Sequence, residues 1–403
     1  MRPVKRVALV YGAPAGVGGL GGQAASAIQA LAIEGVELHA FGPGHAEHWP
    51  LPGGTPKISW HDAPAGVSRF KARYTPLRWR QGQLVFENCH AIGSWAAEQI
   101  ARLEPDYCYL FTQVALESLK WAERASKSTV LDNPNGHIRN FRRVYDEESA
   151  RWCSAPFHGH PTAAMVARVE DEYRLTERIR VSSEWSRRSM LSNGVTGKEI
   201  AVFEQPINLA HFTPNSSPPP AEGRLRVCYV GTLDLRKGFV YLLRAARMLT
   251  QTRGADGIDL EIVGATGDSS SRTLFQRESA GLNLQCAPGD PRAAYQRAEL
   301  LVLPSLEDGF GFVVAEAMAS GLPVIVTDCC GAADWVRPGE TGWVVGAGDA
   351  DALAAALDDA FRRRRDLRAM GQRAQEDIER RAGLHCLAPL REWFFGEALQ
   401  ASQ

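Results

Sequence analysis

Short apolar runs alternate with helix-length stretches along nearly the whole chain, and that alternation limits the fold more than any other feature. In the first half, "VKRVALVYG", "VELHAFGP", "DYCYLFT" and "RIRVSS" read as strands, with longer helical stretches such as "QAASAIQALAIEG" between them. Strands that are apolar on both faces and joined by helices form parallel sheets covered on both sides. The pattern pauses at "TPNSSPPPAEGR" (213–224), too stiff and polar to join a core. It restarts with "LRVCYVG", "IDLEIVG", "AELLVLPS" and "PVIVTD". The expectation is an α/β protein with two doubly wound domains, 1–212 and 223–380, joined by a linker at 213–222. The tail, 381–403, contains the apolar stretch "LHCLAPLREWFFGEAL" with no strand after it, and is expected to pack back onto the first domain. A chain of 403 residues has ample material for two cores.

Composition narrows the function classes. Hydrophobic residues make up 45% and charged residues 23%, with a formal net charge of -1, so no global field argues for nucleic acid. The opening "MRPVKRVALVYGAPAG" reads as a first strand, not as a signal peptide or membrane span. Eight cysteines lack CxxC or Cys/His ligand spacing, and Cys329 and Cys330 are adjacent; free thiols in a reducing cytoplasm are expected.

Parallel sheets bind ligands at the carboxyl ends of their strands, so the strand-end loops carry the candidates. "GVGGLGG" matches GxGxxG at Gly16, Gly18 and Gly21. Ala13 to Ala15 separate the strand from the first glycine, and the second strand ends "ELHAFGPG" without an acid to hold a ribose, which argues against a dinucleotide site. Gly18 and Gly19 still open a helix, where a phosphate can sit or an acceptor pocket be shaped; the plain alternative is a turn. In "VGTLDLRKGFVYLLRA", Arg236 and Lys237 stand in a strand-end loop, where paired cations suit a diphosphate; by itself a solvated charge pair explains them too.

"LPSLEDGFGFVVAEAMASGLPVIVTD" (303–328) places a turn between a buried strand and a short helix. Gly309 and Gly311 let a ligand approach the backbone and leave amides pointing outward at the helix start. Helix-dipole complementation accounts for Glu307 or Asp308. It accounts poorly for Glu316, which sits among Ala315, Ala317 and Met318 and needs a partner that ribose hydroxyls would supply.

These residues resemble the family 4 retaining glycosyltransferases of the GT-B fold (glycosyl transferases group 1), whose donor site carries E-x7-E within "EGFGL…EAMA.G.PVI". Here the stretch is "DGFGFVVAEAMASGLPVIVTD", followed by "GAAD" and "GETGWVV". "VGTLDLRKG" resembles the family's "GRL…KG" loop. "VSSEWSRRSMLSNGVTGKEIAVFEQPINLAHFTP" and "LDNPNGHIRNFRRVYDEE" resemble stretches of its acceptor domain. The resemblance implies two Rossmann-like domains facing across a cleft. It also implies transfer of a hexose-type sugar from a nucleoside-diphosphate sugar to a saccharide, lipid-linked or small-molecule acceptor, in polysaccharide or glycoconjugate assembly. It implies that Glu316 bonds the ribose, Asp308 the donor sugar and Lys237 the diphosphate. Backbone amides of Gly309, Phe310, Gly311, Phe312 and Val313 would bind sugar hydroxyls, and His137 would touch the sugar from the other domain. Two residues depart from the pattern: Asp308 is one methylene shorter than the family's Glu, with Glu307 able to compensate, and Thr232 replaces the arginine of "GRL", with Arg236 as substitute.

No cofactor and no metal are expected: "DAD" (349–351) reads as a helix N-cap. The resemblance implies same-face substitution, with a donor phosphate oxygen taking the acceptor proton, which needs no protein base. A retaining glycosidase would use two carboxyls about 5–5.5 Å apart, but leaves the cationic loop unexplained. A sugar-nucleotide epimerase or hydrolase, a silent sugar-nucleotide-binding scaffold and a dehydrogenase are the other classes. The basic, aromatic stretch 68–83 could engage an acceptor at the inner face of a membrane, or be a solvated loop. The arginines of 361–374 read as the exposed face of a helix, and His158 and His160 as loop residues, with no third zinc ligand evident.

Overall fold

Why the strands are apolar throughout is visible in how they are covered. Val7 to Val10 in the first strand and Leu300 to Leu303 in the second half are buried on both faces, because helices pack against each side of a parallel sheet. The computed structural model describes residues 5–46, 58–64, 81–153, 161–215, 223–254, 257–265, 267 and 269–396. The basic aromatic residues Arg69 to Arg80 and the histidines His158 and His160 lie outside them.

The first sheet contains β1 (Lys5–Val10), β2 (Val36–Gly42), β3 (Ile58–Asp62), β4 (Tyr107–Phe111), β5 (Ser128–Asn133), β6 (Arg178–Val181) and β7 (Glu199–Val202). Its order is β3-β2-β1-β4-β5-β6-β7, with every pair parallel. Helices α1 (Gly18–Leu31), α2 (Gln81–Leu103), α3 (Leu116–Arg124), α4 (Ile138–Trp152), α5 (Ala163–Leu175) and α6 (Glu184–Ser192) connect the strands. The second sheet contains β8 (Leu225–Val230), β9 (Ile258–Val263), β10 (Leu284–Ala287), β11 (Leu300–Leu303), β12 (Val324–Thr327) and β13 (Gly342–Val345). Its order is β10-β9-β8-β11-β12-β13, again parallel. Its helices are α7 (Phe239–Arg253), α8 (Ser269–Ser279), α9 (Pro291–Arg297), α10 (Phe312–Ala319), α11 (Ala350–Arg362) and α12 (Leu367–Arg381), and α13 (Leu387–Phe395) follows.

The chain divides into two compact units. One is Met1–Arg142 with His158–Pro206 and Leu384–Gln403; the other is Arg143–Phe157 with Ile207–Gly383. Helix α13 therefore belongs to the first unit. It packs on α1, Phe394 lies against Tyr109 at 5.6 Å between ring centres, and Arg178 donates to the carbonyls of Trp393 and Phe394 at 2.7 and 3.2 Å. Residues 143–157 differ from the sequence reading, which placed them in the first domain. They go with the second unit because their polar groups bond there: Tyr145 donates to Asp234 at 2.6 Å, and the Tyr241 hydroxyl donates to Glu148 at 2.8 Å. The short strands β3, β5, β7, β10 and β13 escaped the sequence reading.

Each sheet reverses its strand order once. In the first, β1 and β4 are neighbours with connections leaving in opposite directions; in the second, β8 and β11 are. Such a switch point opens a crevice at the strands' carboxyl ends. Among the described residues, no helix is long and apolar enough to cross a membrane.

Candidate active site

The loops after β8 and β11 flank the switch point of the second sheet, and the sequence candidates stand on them. After β8 the chain turns through Leu235–Lys237, a single 3-10 turn capped by Asp234, whose side chain accepts from the Arg236 amide at 2.8 Å. Gly238 then takes φ +67°, and a methyl group there would lie 1.9 Å from the Pro304 carbonyl oxygen. Only glycine lets this loop press against the end of β11. The contact is reinforced by the Leu306 amide, which donates to the Arg236 carbonyl at 2.8 Å.

The acids after β11 divide their roles. Glu307 is completely buried and accepts from Arg236 at 2.9 Å, while the same guanidinium donates to the Glu307 carbonyl at 2.6 Å. Arg236 thus fastens one loop to the other, and Glu307 is engaged in that fastening. Asp308 pairs with Lys237, also accepts from the Phe310 amide, and is only 7% exposed. Burial alone would raise its pKa, but the Lys237 and Arg236 charges and these hydrogen bonds hold it below the usual carboxylate range. The ion pair sits nearer solvent than the Arg236–Glu307 pair, since Lys237 keeps 21% of its side-chain exposure.

Backbone bonds fix the turn. The Asp308 amide donates to the Cys329 carbonyl at 3.0 Å, and the Gly331 amide donates to the Asp308 carbonyl at 2.9 Å. Gly311 precedes α10 at φ +86°, where a methyl group would approach the Cys330 sulfur to 2.6 Å. The vicinal cysteines are free thiols, and Cys330 is buried against this turn. First-turn amides of a helix lack intrahelical partners, so Phe312 and Val313 offer donors at the mouth of the crevice. Phe310 itself is buried, packed edge-on against Phe312 and Trp335.

Glu316 stands a turn into α10. Its carboxylate accepts from the Tyr295 hydroxyl at 3.0 Å, and no ion pair reaches it among the described residues. Burial pushes its pKa up to about 7, with the Tyr295 bond opposing and Asp290 adding. A carboxyl that stays half-neutral near pH 7 for want of a donor is suited to a ligand hydroxyl. Tyr295, which supplies that bond, and Asp234, which caps the Leu235–Lys237 turn, were both missed by the sequence reading; an acid just before a turn is the signal that could have found Asp234.

The remaining candidates lie in the first unit. His137 follows β5, buried, with its amide donating to Ser189 at 2.9 Å and its Nδ1 accepting from the Arg139 amide at 3.2 Å. Desolvation pushes its pKa down to about 4, Glu170 opposing and Arg139 adding, so the ring is neutral at pH 7. It lines a cavity of about 470 Å³ together with Arg139, Glu170, Tyr173 and Lys198. Gly18 begins α1 at φ +64° with Gly19 in the first turn, while a methyl group on Gly21 would come within 2.0 Å of the Pro14 carbonyl oxygen. The glycine run thus serves a tight loop-to-helix return. Gln23 on the same helix donates to the buried Asp132 at 2.5 Å, which also takes Tyr109 and Arg180. In "DAD", the Asp349 side chain accepts from the Ala352 amide at 2.8 Å and caps α11.

Residues 215–377 match the sequence family Glycosyl transferases group 1. The matched stretch lies within the second unit. Within this group 1 domain fall Lys237, Asp308, the Gly309–Val313 turn and Glu316. Among curated proteins, the capsular polysaccharide biosynthesis glycosyltransferase CapM of Staphylococcus aureus is 31% identical over 134 residues, which is 32% of this chain and 35% of CapM. The chain thus spans about a third of that relative. Among solved structures, sucrose-phosphate synthase of Thermosynechococcus elongatus superposes with a TM-score of 0.72 at 19% identity, over 99% of this chain and 100% of that one. Anabaena HepE, solved in complex with UDP, superposes with a TM-score of 0.65 at 14% identity, over 98% and 100%. These full-length likenesses establish the GT-B fold on both sides of the group 1 domain's boundary.

Proposed function

We propose that this chain is a retaining, metal-independent glycosyltransferase that moves a hexose-type sugar from a nucleoside-diphosphate sugar to an acceptor hydroxyl in polysaccharide or glycoconjugate assembly. The observation that carries this reading is the Lys237–Asp308 pair at the switch point, beside a glycine-opened helix start and an underbonded Glu316. Ribose hydroxyls would donate to Glu316. The diphosphate would take Lys237 from Asp308, freeing that carboxylate to accept from a sugar hydroxyl. As the anomeric carbon–oxygen bond breaks, negative charge collects on the diphosphate, where Lys237 and the first-turn amides of α10 stabilise it. The acceptor oxygen bonds to the anomeric carbon on the same face, and its proton passes to the departing phosphate oxygen. A capsular polysaccharide glycosyltransferase among the relatives and UDP in a structural neighbour support this reading.

The test is a thermal-shift panel with UDP, GDP, ADP and dTDP, followed by turnover of the matching sugar nucleotides against an acceptor set, with product anomers assigned by NMR. One nucleotide should stabilise the protein, the glycosidic product should keep the donor's anomeric configuration, and EDTA should leave the rate unchanged. Inverted product or loss of activity with EDTA refutes the mechanism. Nucleotide binding without turnover against any acceptor refutes the enzyme reading in favour of a silent scaffold.

A further inference from the structure

A cavity of the second unit lies at the end of its sheet opposite to the Lys237 and Asp308 loops. Its walls include Glu299, immediately before β11, and Ser320 to Pro323, immediately before β12, so it opens at the strands' amino ends, away from the Lys237 and Asp308 loops. Its volume is about 500 Å³, the size of a small-metabolite site.

The lining divides into three chemistries. Leu322, Pro323 and the ring of Tyr295 give an apolar wall. Gln372 gives an amide, a side chain that bonds sugar hydroxyls as both donor and acceptor, while the Asn215 amide already donates to the Gln296 carbonyl at 2.7 Å. Three arginines complete it, and they are not equivalent. Arg364 is buried and fully committed, with Glu299 at 2.6 and 2.7 Å and the carbonyls of Gly223 and Arg224 at 2.6 and 2.8 Å. It neutralises the pocket's one acid. Arg365 and Arg368 are exposed, line the same cavity, and make no ion pair or hydrogen bond among the described residues. Two guanidinium groups without a carboxylate, on the rim of a cavity whose acid is already satisfied, leave net positive charge directed at whatever enters.

We propose that this cavity binds a phosphorylated, sugar-sized polyol at a site separate from the strand-end crevice. Arg365 and Arg368 take the phosphate, Gln372 takes hydroxyls, and the carbon face of the ring lies on the apolar wall. Tyr295 is shared between the two ends of the domain: its ring lines the cavity while its hydroxyl donates to Glu316.

The experiment titrates the full-length protein with glucose 6-phosphate, and separately with inorganic phosphate and with glucose, by calorimetry and thermal shift. The same titration is then run on the R365S/R368S double variant and in the presence of saturating UDP, GDP and ADP together. The expected result is saturable binding of glucose 6-phosphate, tighter than that of phosphate or glucose alone. It should weaken at least about tenfold in the double variant and persist with the nucleotides present. Because both arginines are exposed and unpaired, the unliganded double variant should melt as the parent does. Absence of saturable binding at millimolar probe, equal binding in the double variant, or displacement by the nucleotides overturns the inference; displacement would place the probe on the Lys237 loop instead. Nucleotide binding by the same samples reads the strand-end site independently, so failure of either site is distinguishable from failure of the other.

Discussion

Replacing Glu316 by glutamine should stabilise the empty protein at pH 8 and weaken its response to nucleotide, two effects of opposite sign from one substitution. Burial pushes the carboxyl's pKa up to about 7 in the folded chain against an ordinary 4.5, and among the described residues only Tyr295 donates to it. A folded pKa above the unfolded one means that the neutral carboxyl's full contribution is present below about pH 4.5 and is lost as pH climbs through about 7. At pH 8 the ionised group costs at most about 3 kcal/mol, taking about 1.4 kcal/mol per pH unit; at pH 5 the cost is under about 1 kcal/mol. Glu316→Gln removes a charge without changing shape, so melting of the variant should exceed the parent by several degrees at pH 8 and nearly match it at pH 5. With ribose hydroxyls donating to the carboxylate, the parent regains that cost on binding, whereas the variant loses a charged hydrogen bond and about tenfold in affinity. Thermal melts at the two pH values, with and without the stabilising nucleotide, read all four quantities. A variant no more stable than the parent at pH 8 refutes the desolvation argument. Unchanged nucleotide affinity removes Glu316 from the ribose site.

Lys237→Ala should lower turnover about a hundredfold, as for loss of one charge-stabilising donor, and should also destabilise the fold because Asp308 stays buried without its cation; full activity in a steady-state assay would refute the diphosphate role. Asp308→Asn should lose stability relative to the parent above about pH 4, the difference vanishing as pH falls through the depressed native pKa, which pH-dependent urea melts can follow. Gly238→Ala should cost well over the about 1–2 kcal/mol of left-handed strain alone, because the backbone there has φ +67° and ψ +19° and the methyl would also meet backbone, 1.9 Å from the Pro304 oxygen. A fall in melting point no larger than that strain accounts for would contradict the close-approach argument.

How legible all this was depended on what kind of physics each element obeys. Strands buried on both faces, such as Val7–Val10 and Leu300–Leu303, announce themselves as apolar runs. The edge strands β3, β7 and β10 are short, carry polar residues and are only partly buried, so their pairing is decided by neighbours far away in sequence. The assignment of 143–157 was invisible for the same reason: helix α4 is continuous, and nothing local to Tyr145 or Glu148 says that Asp234 and Tyr241 will be their partners.

The site shows the same division at finer scale. Residue types at two strand-end loops singled out Asp308, Glu316 and Lys237, and the family resemblance joined them as a set, but their division of labour is a matter of geometry. Adjacent residues Arg236 and Lys237 look interchangeable as cations, and adjacent residues Glu307 and Asp308 look interchangeable as acids. In the fold each cation selects one acid. The fully buried Glu307 takes the guanidinium, one terminal nitrogen of which donates to both its carboxylate and its carbonyl. The more exposed Asp308 takes the ammonium, a compact point charge that a competing anion can draw away. Under the proposed function one pair would be structural and the other exchangeable. An arginine at 237 would reach its acid with two hydrogen bonds and release it less readily, whereas the lysine would hold the empty turn and still yield to a diphosphate.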